Sequence, residues 1–491
     1  MKNIPIINGI SMYLREEIVP FSMPGHKNGR GFKGFEEILL QGDLTEVEGL
    51  DNLQHPEGII KEAEDKLSNL YKSKKSYFLV NGSTCGNLIM IFSLFKEGDK
   101  VLVERNCHKS IMNGIIMRKL KPVFINNIFH SKLKAPVGID LNHLKEQISL
   151  NKDLKGIILT YPNYYGVGVN IDETIKIARE ANLKVGIDSA HGAHFGFNKL
   201  LPESVQELKA DIVVMSAHKT LPSLTQTAWM HVNNEDFIEE IEFYKNIFMS
   251  TSPSYMFMMS LDYSRNFLEE HGEEAYNTLF KIIEDFKNDI KDLSYFKILD
   301  KEFLINGLEK NIKINDIKIN DIKINDIKIN DIKIDNSRIV LNLRENLNGN
   351  KLLDYLRSKN IQCEMSDNKN VVLIPSPFNT EEDFKILKDA LKSCDINCLK
   401  DEEIDFYLTD LPEKKLEPFE VLDLEYERIN INDAVGKIVA ESIVPYPPGV
   451  PMLIMGEIIE ERHVKLLNEY MKSKVDLIGI KDKKVKVIKN K

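Results

Sequence analysis

Between about residues 60 and 290 this chain alternates short apolar β-type runs with amphipathic helical stretches, and that alternation restricts its fold more than any other feature. Candidate strands fall at 77–80, 100–104, 122–126, 156–160, 184–188 and 211–216, with helical segments such as 171–181 between them. Strand and helix in alternation read as a mostly parallel sheet with helices on its faces, and such sheets gather ligands at the carboxyl ends of their strands. The chemically capable residues stand at those ends: Asn81 to Thr84, Arg105 to His108, Asp188 to His191, and Ser216 to Lys219. The pattern predicts an α/β fold whose site is built from several loops.

Two of these strand ends define a chemistry together. Ser216-Ala217-His218-Lys219-Thr220 places one lysine after an apolar strand, fenced by hydroxyl and imidazole groups. Upstream, Gly186-Ile187-Asp188-Ser189-Ala190-His191 puts a carboxylate at another strand end. A lysine for a cofactor aldehyde and an aspartate for a pyridinium nitrogen describe a site for pyridoxal 5′-phosphate (PLP). With its nitrogen kept protonated by Asp188, the ring accepts the electron pair released when a bond at the substrate α-carbon breaks.

The remaining needs of that cofactor each have a candidate. Gly82, Ser83 and Thr84 follow a strand and open a helix, so their amides and hydroxyls suit a phosphate, with Ser216 and His218 as additions. His108 is placed to stack on the ring, and His191 to meet its other face or the substrate. Blander readings exist for each: Asn-Gly-Ser-Thr as a turn and N-cap, Asp188 as a helix cap, His108 as an ordinary surface or core histidine. Convergence on four strand ends favours the site. Lys109 rivals Lys219 but lacks the Ser-x-His fence.

After about residue 290 the pattern becomes a smaller α/β unit, with strands expected at 338–343 and 371–374 and helices at 352–359 and 381–392. Inside it lies a low-complexity insertion, 311–336, where Asn-Asp-Ile-Lys-Ile occurs four times in succession from Asn315 to Ile334. A five-residue period suits neither helix nor strand, and the expectation is a surface insertion without function. A third segment follows, whose Pro445-Tyr446-Pro447-Pro448-Gly449-Val450-Pro451 predicts a rigid extended loop. A net charge of −10 argues against nucleic-acid partners and gives no basic face for a membrane. Five scattered cysteines offer no zinc spacing, so no metal is expected and the thiols read as reduced. With neither a signal-type apolar run nor a membrane-spanning stretch, a cytoplasmic protein is expected.

The ordered motifs carry a resemblance. Met23-Pro24-Gly25-His26-Lys27, residues 81–87, 105–110, 188–191, 216–219, 251–255 and 445–451 together resemble the Orn/Lys/Arg decarboxylases, in their short bacterial form. The resemblance implies a PLP-dependent-transferase-like fold: an N-terminal arm (1–60), a large cofactor domain (61–290), a small α/β domain (291–398) and a C-terminal decarboxylase domain (399–491). It implies that Lys219 holds PLP, that Asp188 pairs with its nitrogen and that His108 stacks on it. Ser83, Thr84, Ser216 and His218 would bind phosphate. Thr251 would reach the phosphate of a neighbouring subunit in a homodimer with shared sites. His26 and Glu457 are the expected substrate contacts. The implied substrate is a basic amino acid, arginine before lysine or ornithine, converted to an amine for polyamine metabolism. Met455-Gly456-Glu457 departs from the family's usual Pro-Gly-Glu. The competing readings are a transaminase, for which Arg338 or Arg344 would clamp the α-carboxylate, a carbon–sulfur lyase, or a non-catalytic paralogue.

Overall fold

The computed structural model describes residues 4–308, 331–401, 410–446, 450–472 and 476–489. Its central sheet contains β1 (Lys75–Leu79), β2 (Lys100–Glu104), β3 (Lys121–Ile125), β4 (Leu154–Thr160), β5 (Lys184–Asp188), β6 (Ile212–Met215) and β7 (Ala228–Val232). The order is β1-β7-β6-β5-β4-β2-β3, and only β7 runs antiparallel to its neighbours. Six strands therefore end on one edge, and the predicted loops meet there. Near-continuous burial along the strands matches a sheet covered on both faces. The sequence pattern located six of the seven. It passed over β7, which carries the fully buried Trp229 and His231 between two antiparallel partners.

Helix Gly82–Leu94 lies directly on this sheet. A Cβ added at Gly86 would come within 2.7 Å of Leu79 and Val214 side-chain atoms, so only glycine permits this approach. The smaller unit is an antiparallel sheet ordered Phe296–Ile298, Ile339–Leu343, Asn370–Leu373, Met365–Ser366. Helices Gly349–Ser358 and Glu381–Lys392 accompany it, the second opened by a Thr380/Asp383 capping box. Near the N-terminus, Val19–Phe21 pairs in parallel with Ile361–Cys363 and so ties the N-terminal segment to the smaller unit.

The repeat expectation needs correction. The last copy is not surface filler: Ile332–Ile334 pairs antiparallel with Val167–Val169, in a four-stranded sheet with Ala135–Ile139 and Asn127–His130. Ile332 and Ile334 are buried while Lys333 between them reaches Asp172 and Glu203. Read by itself, Ile-Lys-Ile has the two-residue period of a half-buried strand. The upstream copies lie outside the described residues.

The C-terminal segment encloses its own apolar cluster, which includes Ile431, Val439, Leu453, Leu467 and Val487. The proline-rich stretch is partly a strand, Val444–Tyr446 paired with Asp476–Ile478; its residues 447–449 lie outside the described set. No helix among the described residues is long and apolar enough to cross a membrane.

Candidate active site

Lys219 sits in the short helical turn Ala217–Thr220 after β6, and its Nζ lies 3.0 Å from His191 Nε2. His191 follows β5, with the Tyr164 ring 4.7 Å away and Arg338 Nη2 3.4 Å from its Nδ1. Burial lowers the Lys219 pKa; Asp188 and Glu364 oppose that shift, while Arg338 adds to it. Burial also holds His191 well below the usual imidazole range, with Lys219 and Arg338 contributing. Both shifts run toward the uncharged forms, the direction that suits an amine that must attack an aldehyde.

Asp188, 2% exposed at the end of β5, accepts from Asn87 Nδ2 at 2.8 Å and from the Ala190 backbone N–H at 3.1 Å. The same Asn87 amide donates to Ser110 Oγ at 2.9 Å, and Ser110 Oγ lies 2.8 Å from His108 Nδ1. His108 caps helix Lys109–Met117 through Nδ1, which accepts from Ser110 N–H at 3.2 Å. Burial lowers the His108 pKa, against the pull of Asp188 and with help from Lys219. One chain of contacts thus orients the expected ring-stacking group and the expected carboxylate together. Each Asp188 oxygen retains acceptor capacity for a further donor.

On the phosphate side, helix Gly82–Leu94 has no side-chain cap. Asn81 Oδ1 instead accepts from Ser250 N–H at 3.2 Å. The first-turn amides are accordingly left for another acceptor, with Ser216 Oγ and Ser83 Oγ paired beside them at 2.8 Å and Thr84 exposed. Gly82 takes φ +76°, in the left-handed region that favours glycine. This donor set, the Asp188 carboxylate and the buried Lys219 amine beside His191 fit PLP. Thr251 is exposed on the loop that also carries Ser250, and therefore lies beside the Asn81 turn of its own chain.

Two expected contacts look different in the fold. His218 Nδ1 lies 2.7 Å from the Thr227 carbonyl, which can only accept, so Nδ1 carries the proton. Burial lowers the His218 pKa to about 4, and in the neutral ring Nε2 offers a lone pair. His218 Nδ1 thus braces the lysine turn, and Nε2 is the ring atom that a phosphate would meet. Glu457, expected to meet substrate, is buried with both oxygens on Arg105, at 2.6 Å to Nη1 and 2.9 Å to Nη2; Oε2 also accepts from Ile454 N–H at 2.7 Å. Arg105 further donates to the Met452 carbonyl and lies over the Phe124 ring. This geometry corrects the substrate role: Glu457 clamps the C-terminal unit to the loop after β2.

The segment containing His26 is a strap. Gly25 N–H donates to the His218 carbonyl at 2.8 Å, and the Gly25 carbonyl accepts from Ser376 Oγ at 2.6 Å. Lys27 Nζ, fully buried, donates to the carbonyls of Ser22 and Ile374. His26 Nδ1 accepts from Gly29 N–H, its ring packs against Phe32, and burial lowers its pKa to about 4.

Sequence reasoning missed Asn87, Ser110, Tyr164 and Glu364 as site residues. Glu364 accepts from Tyr164 Oη and from Met23 N–H, each at 2.8 Å, and its charge acts on Lys219. Tyr164 also lines a cavity of 820 Å³ bounded by Arg105, Asn106, Asp354, Asp367 and Met452, while its ring packs on His191. Arg338, offered for a transaminase clamp, is committed to the Tyr164 carbonyl and His191, and Arg344 is exposed.

Comparison with known proteins places this geometry. Residues 4–383 match the Orn/Lys/Arg decarboxylase major domain, and residues 406–478 match the C-terminal domain of the same family. The uncharacterized protein YaaO of Bacillus subtilis is 33% identical over 506 residues, covering 99% of this chain and 98% of that one. An arginine decarboxylase of Bacillus anthracis is 27% identical, covering 97% of this chain and 95% of its own. The structure of the Escherichia coli constitutive lysine decarboxylase shares the fold with a TM-score of 0.77 at 19% identity, over 99% of this chain and 82% of that one.

Proposed function

Because the chain belongs to the Orn/Lys/Arg decarboxylase family, we propose that it decarboxylates arginine with PLP held on Lys219. The broader statement, that it is an amino-acid decarboxylase acting on a basic substrate, comes with the family. One observation carries the cofactor reading: Lys219 meets His191 at 3.0 Å within the cluster that also contains Asp188 and His108.

Each residue then has a task. Asp188, fixed by Asn87 and the Ala190 amide, holds a negative charge against the ring nitrogen. His108 would pack against the ring, and Gly82, Ser83, Thr84 and Ser216, with His218, would hold the phosphate. The cofactor supplies an electron sink for the pair left on the α-carbon as carbon dioxide departs. Lys219 Nζ, with His191 beside it, would deliver the proton that takes the carboxylate's place on that carbon. Glu364 is the carboxylate besides Asp188 that acts on Lys219, and it receives the substrate's cationic end. The name of the Bacillus anthracis relative supports arginine over other basic substrates.

The protein works as a homodimer in this reading. Helix Pro5–Arg15 exposes Ile6, Ile7, Ile10 and Leu14, an apolar face suited to a second copy. Free cysteines suit the reducing cytoplasm.

The test is to incubate PLP-loaded protein separately with arginine, lysine and ornithine and to measure carbon dioxide and amine. Agmatine from arginine is expected. Cadaverine or putrescine in its place reassigns the substrate, and no carbon dioxide from any of the three overturns the reading.

A further inference from the structure

We propose that Arg338 holds His191 in the one tautomer that keeps Lys219 a free-base amine. The inference rests on reading Lys219 as the amine that meets the cofactor aldehyde. A guanidinium has five N–H donors and no acceptor, so the 3.4 Å contact of Arg338 Nη2 makes His191 Nδ1 the accepting nitrogen. A neutral imidazole carries one proton, which must then sit on Nε2. That is the atom 3.0 Å from Lys219 Nζ. An N–H set against an ammonium opposes two donors; set against an amine, it makes a hydrogen bond to the lone pair. The contact therefore selects neutral Lys219.

Arg338 is held in place to do this. It is 4% exposed, its Nη1 donates to the Tyr164 carbonyl at 2.6 Å, and its Nε lies 3.7 Å from Asp335 Oδ2. Asp335 is in turn fixed by His194 at 3.2 Å and Ser337 Oγ at 2.5 Å. The charged and titratable groups around Lys219 and His191 include Asp188 at the end of β5, His108 at the cap of Lys109–Met117, His218 in the lysine's own turn, Glu364 between Ile361–Cys363 and Met365–Ser366, and Arg338 before Ile339–Leu343. The two carboxylates alone would favour an ammonium. The His191 N–H is the direct contact that opposes them, and Arg338 is a positioning residue acting through it.

Apoprotein labelled with ¹⁵N-histidine tests this without cofactor or substrate, so a failure to decarboxylate arginine leaves the result interpretable. Ring nitrogen shifts separate protonated from bare nitrogens, and His191→Gln assigns the signal. The expected spectrum has His191 Nε2 protonated and Nδ1 bare at neutral pH; a protonated Nδ1 overturns the proposal. The rate of PLP uptake by apoprotein, followed by absorbance across pH, gives a second measure. Arg338→Met is expected to move the midpoint up by about one pH unit and to slow uptake near pH 7 roughly tenfold. Arg338→Lys, which keeps charge and donor, is expected to restore most of that rate. In a His191→Phe background the Arg338→Met effect should largely vanish. An undiminished tenfold loss there would leave the arginine acting as a charge alone and sink the relay.

Discussion

Glu457→Gln separates two roles for one carboxylate, and the buried clamp predicts which it plays. The side chains of Arg105 and Glu457 are 12% and 2% exposed, and their two contacts at 2.6 and 2.9 Å are bidentate. Removing one partner of such a pair leaves an uncompensated buried charge and costs about 3–5 kcal/mol. Arg105→Met also loses the bond to the Met452 carbonyl and belongs at the upper end. Glu457→Gln keeps one acceptor and belongs at the lower end. Since neither charge survives in R105M/E457Q, its cost should stay at about 4 kcal/mol, well below the sum of the singles, giving a coupling of about 4 kcal/mol. The cost falls on the attachment of the C-terminal unit, so the readout must be local. Hydrogen exchange of the Lys484–Ile488 amides should accelerate by about 100-fold in Glu457→Gln, while the Ala228–Val232 amides around Trp229 barely change. If Glu457→Gln instead raised KM for arginine tenfold and left C-terminal exchange within threefold of wild type, the clamp reasoning would be refuted.

Other perturbations test other parts of the site. Glu364→Gln should raise KM for arginine about tenfold, roughly 1.4 kcal/mol of lost attraction, with a smaller effect on kcat; an unchanged KM would remove Glu364 from substrate recognition. Gly25→Ala should impair PLP retention and cost about 1–3 kcal/mol, because the new Cβ would lie 2.5 Å from the Thr220 and Leu221 backbone beside Lys219, the lysine proposed to hold PLP; wild-type retention would show that the strap yields. Glu104, buried near Asp188 and bonded by Thr160 N–H and Asn127, has its pKa raised by burial from 4.5 to about 7. The folded state then keeps a proton that the unfolded state loses, so this group's contribution to stability falls as pH rises between those values. Denaturation at pH 5 and pH 8 should therefore favour Glu104→Gln over wild type by up to about 3 kcal/mol more at the higher pH; a pH-independent difference would argue against the buried acid.

The sheet and the four loaded loops were legible because each strand is an apolar run that stops at polar residues. Asp188, His108, Ser83 and Lys219 announce themselves in that way. Asn87 does not, because it lies inside a helix that reads as a covering element, yet its amide reaches Asp188 across 101 residues. Tyr164, Glu364 and Arg338 come together only when the smaller unit folds back onto the large sheet, a pairing that no local pattern encodes. The proton position on His218 depends on a single carbonyl, that of Thr227. Glu457 was misassigned for a related reason: its motif fixes its place near the site, while its partner Arg105 stands 352 residues earlier.

The anchored end of the pentapeptide repeat bears on how this gene can drift. Ile332–Ile334 is held from its C-terminal side, where Asp335 N–H donates to the Gly166 carbonyl at 2.8 Å and the Asp335 carboxylate meets His194. Gain or loss of a whole upstream copy therefore returns the same Ile-Lys-Ile to the same register. A tract of identical units is prone to replication slippage, and here slippage in steps of fifteen nucleotides would be buffered at the protein level. Chains with one repeat deleted are expected to melt with the parent, whereas deletion of Ile334 alone would put lysine where isoleucine is buried. Length polymorphism at this locus would then be neutral in units of five.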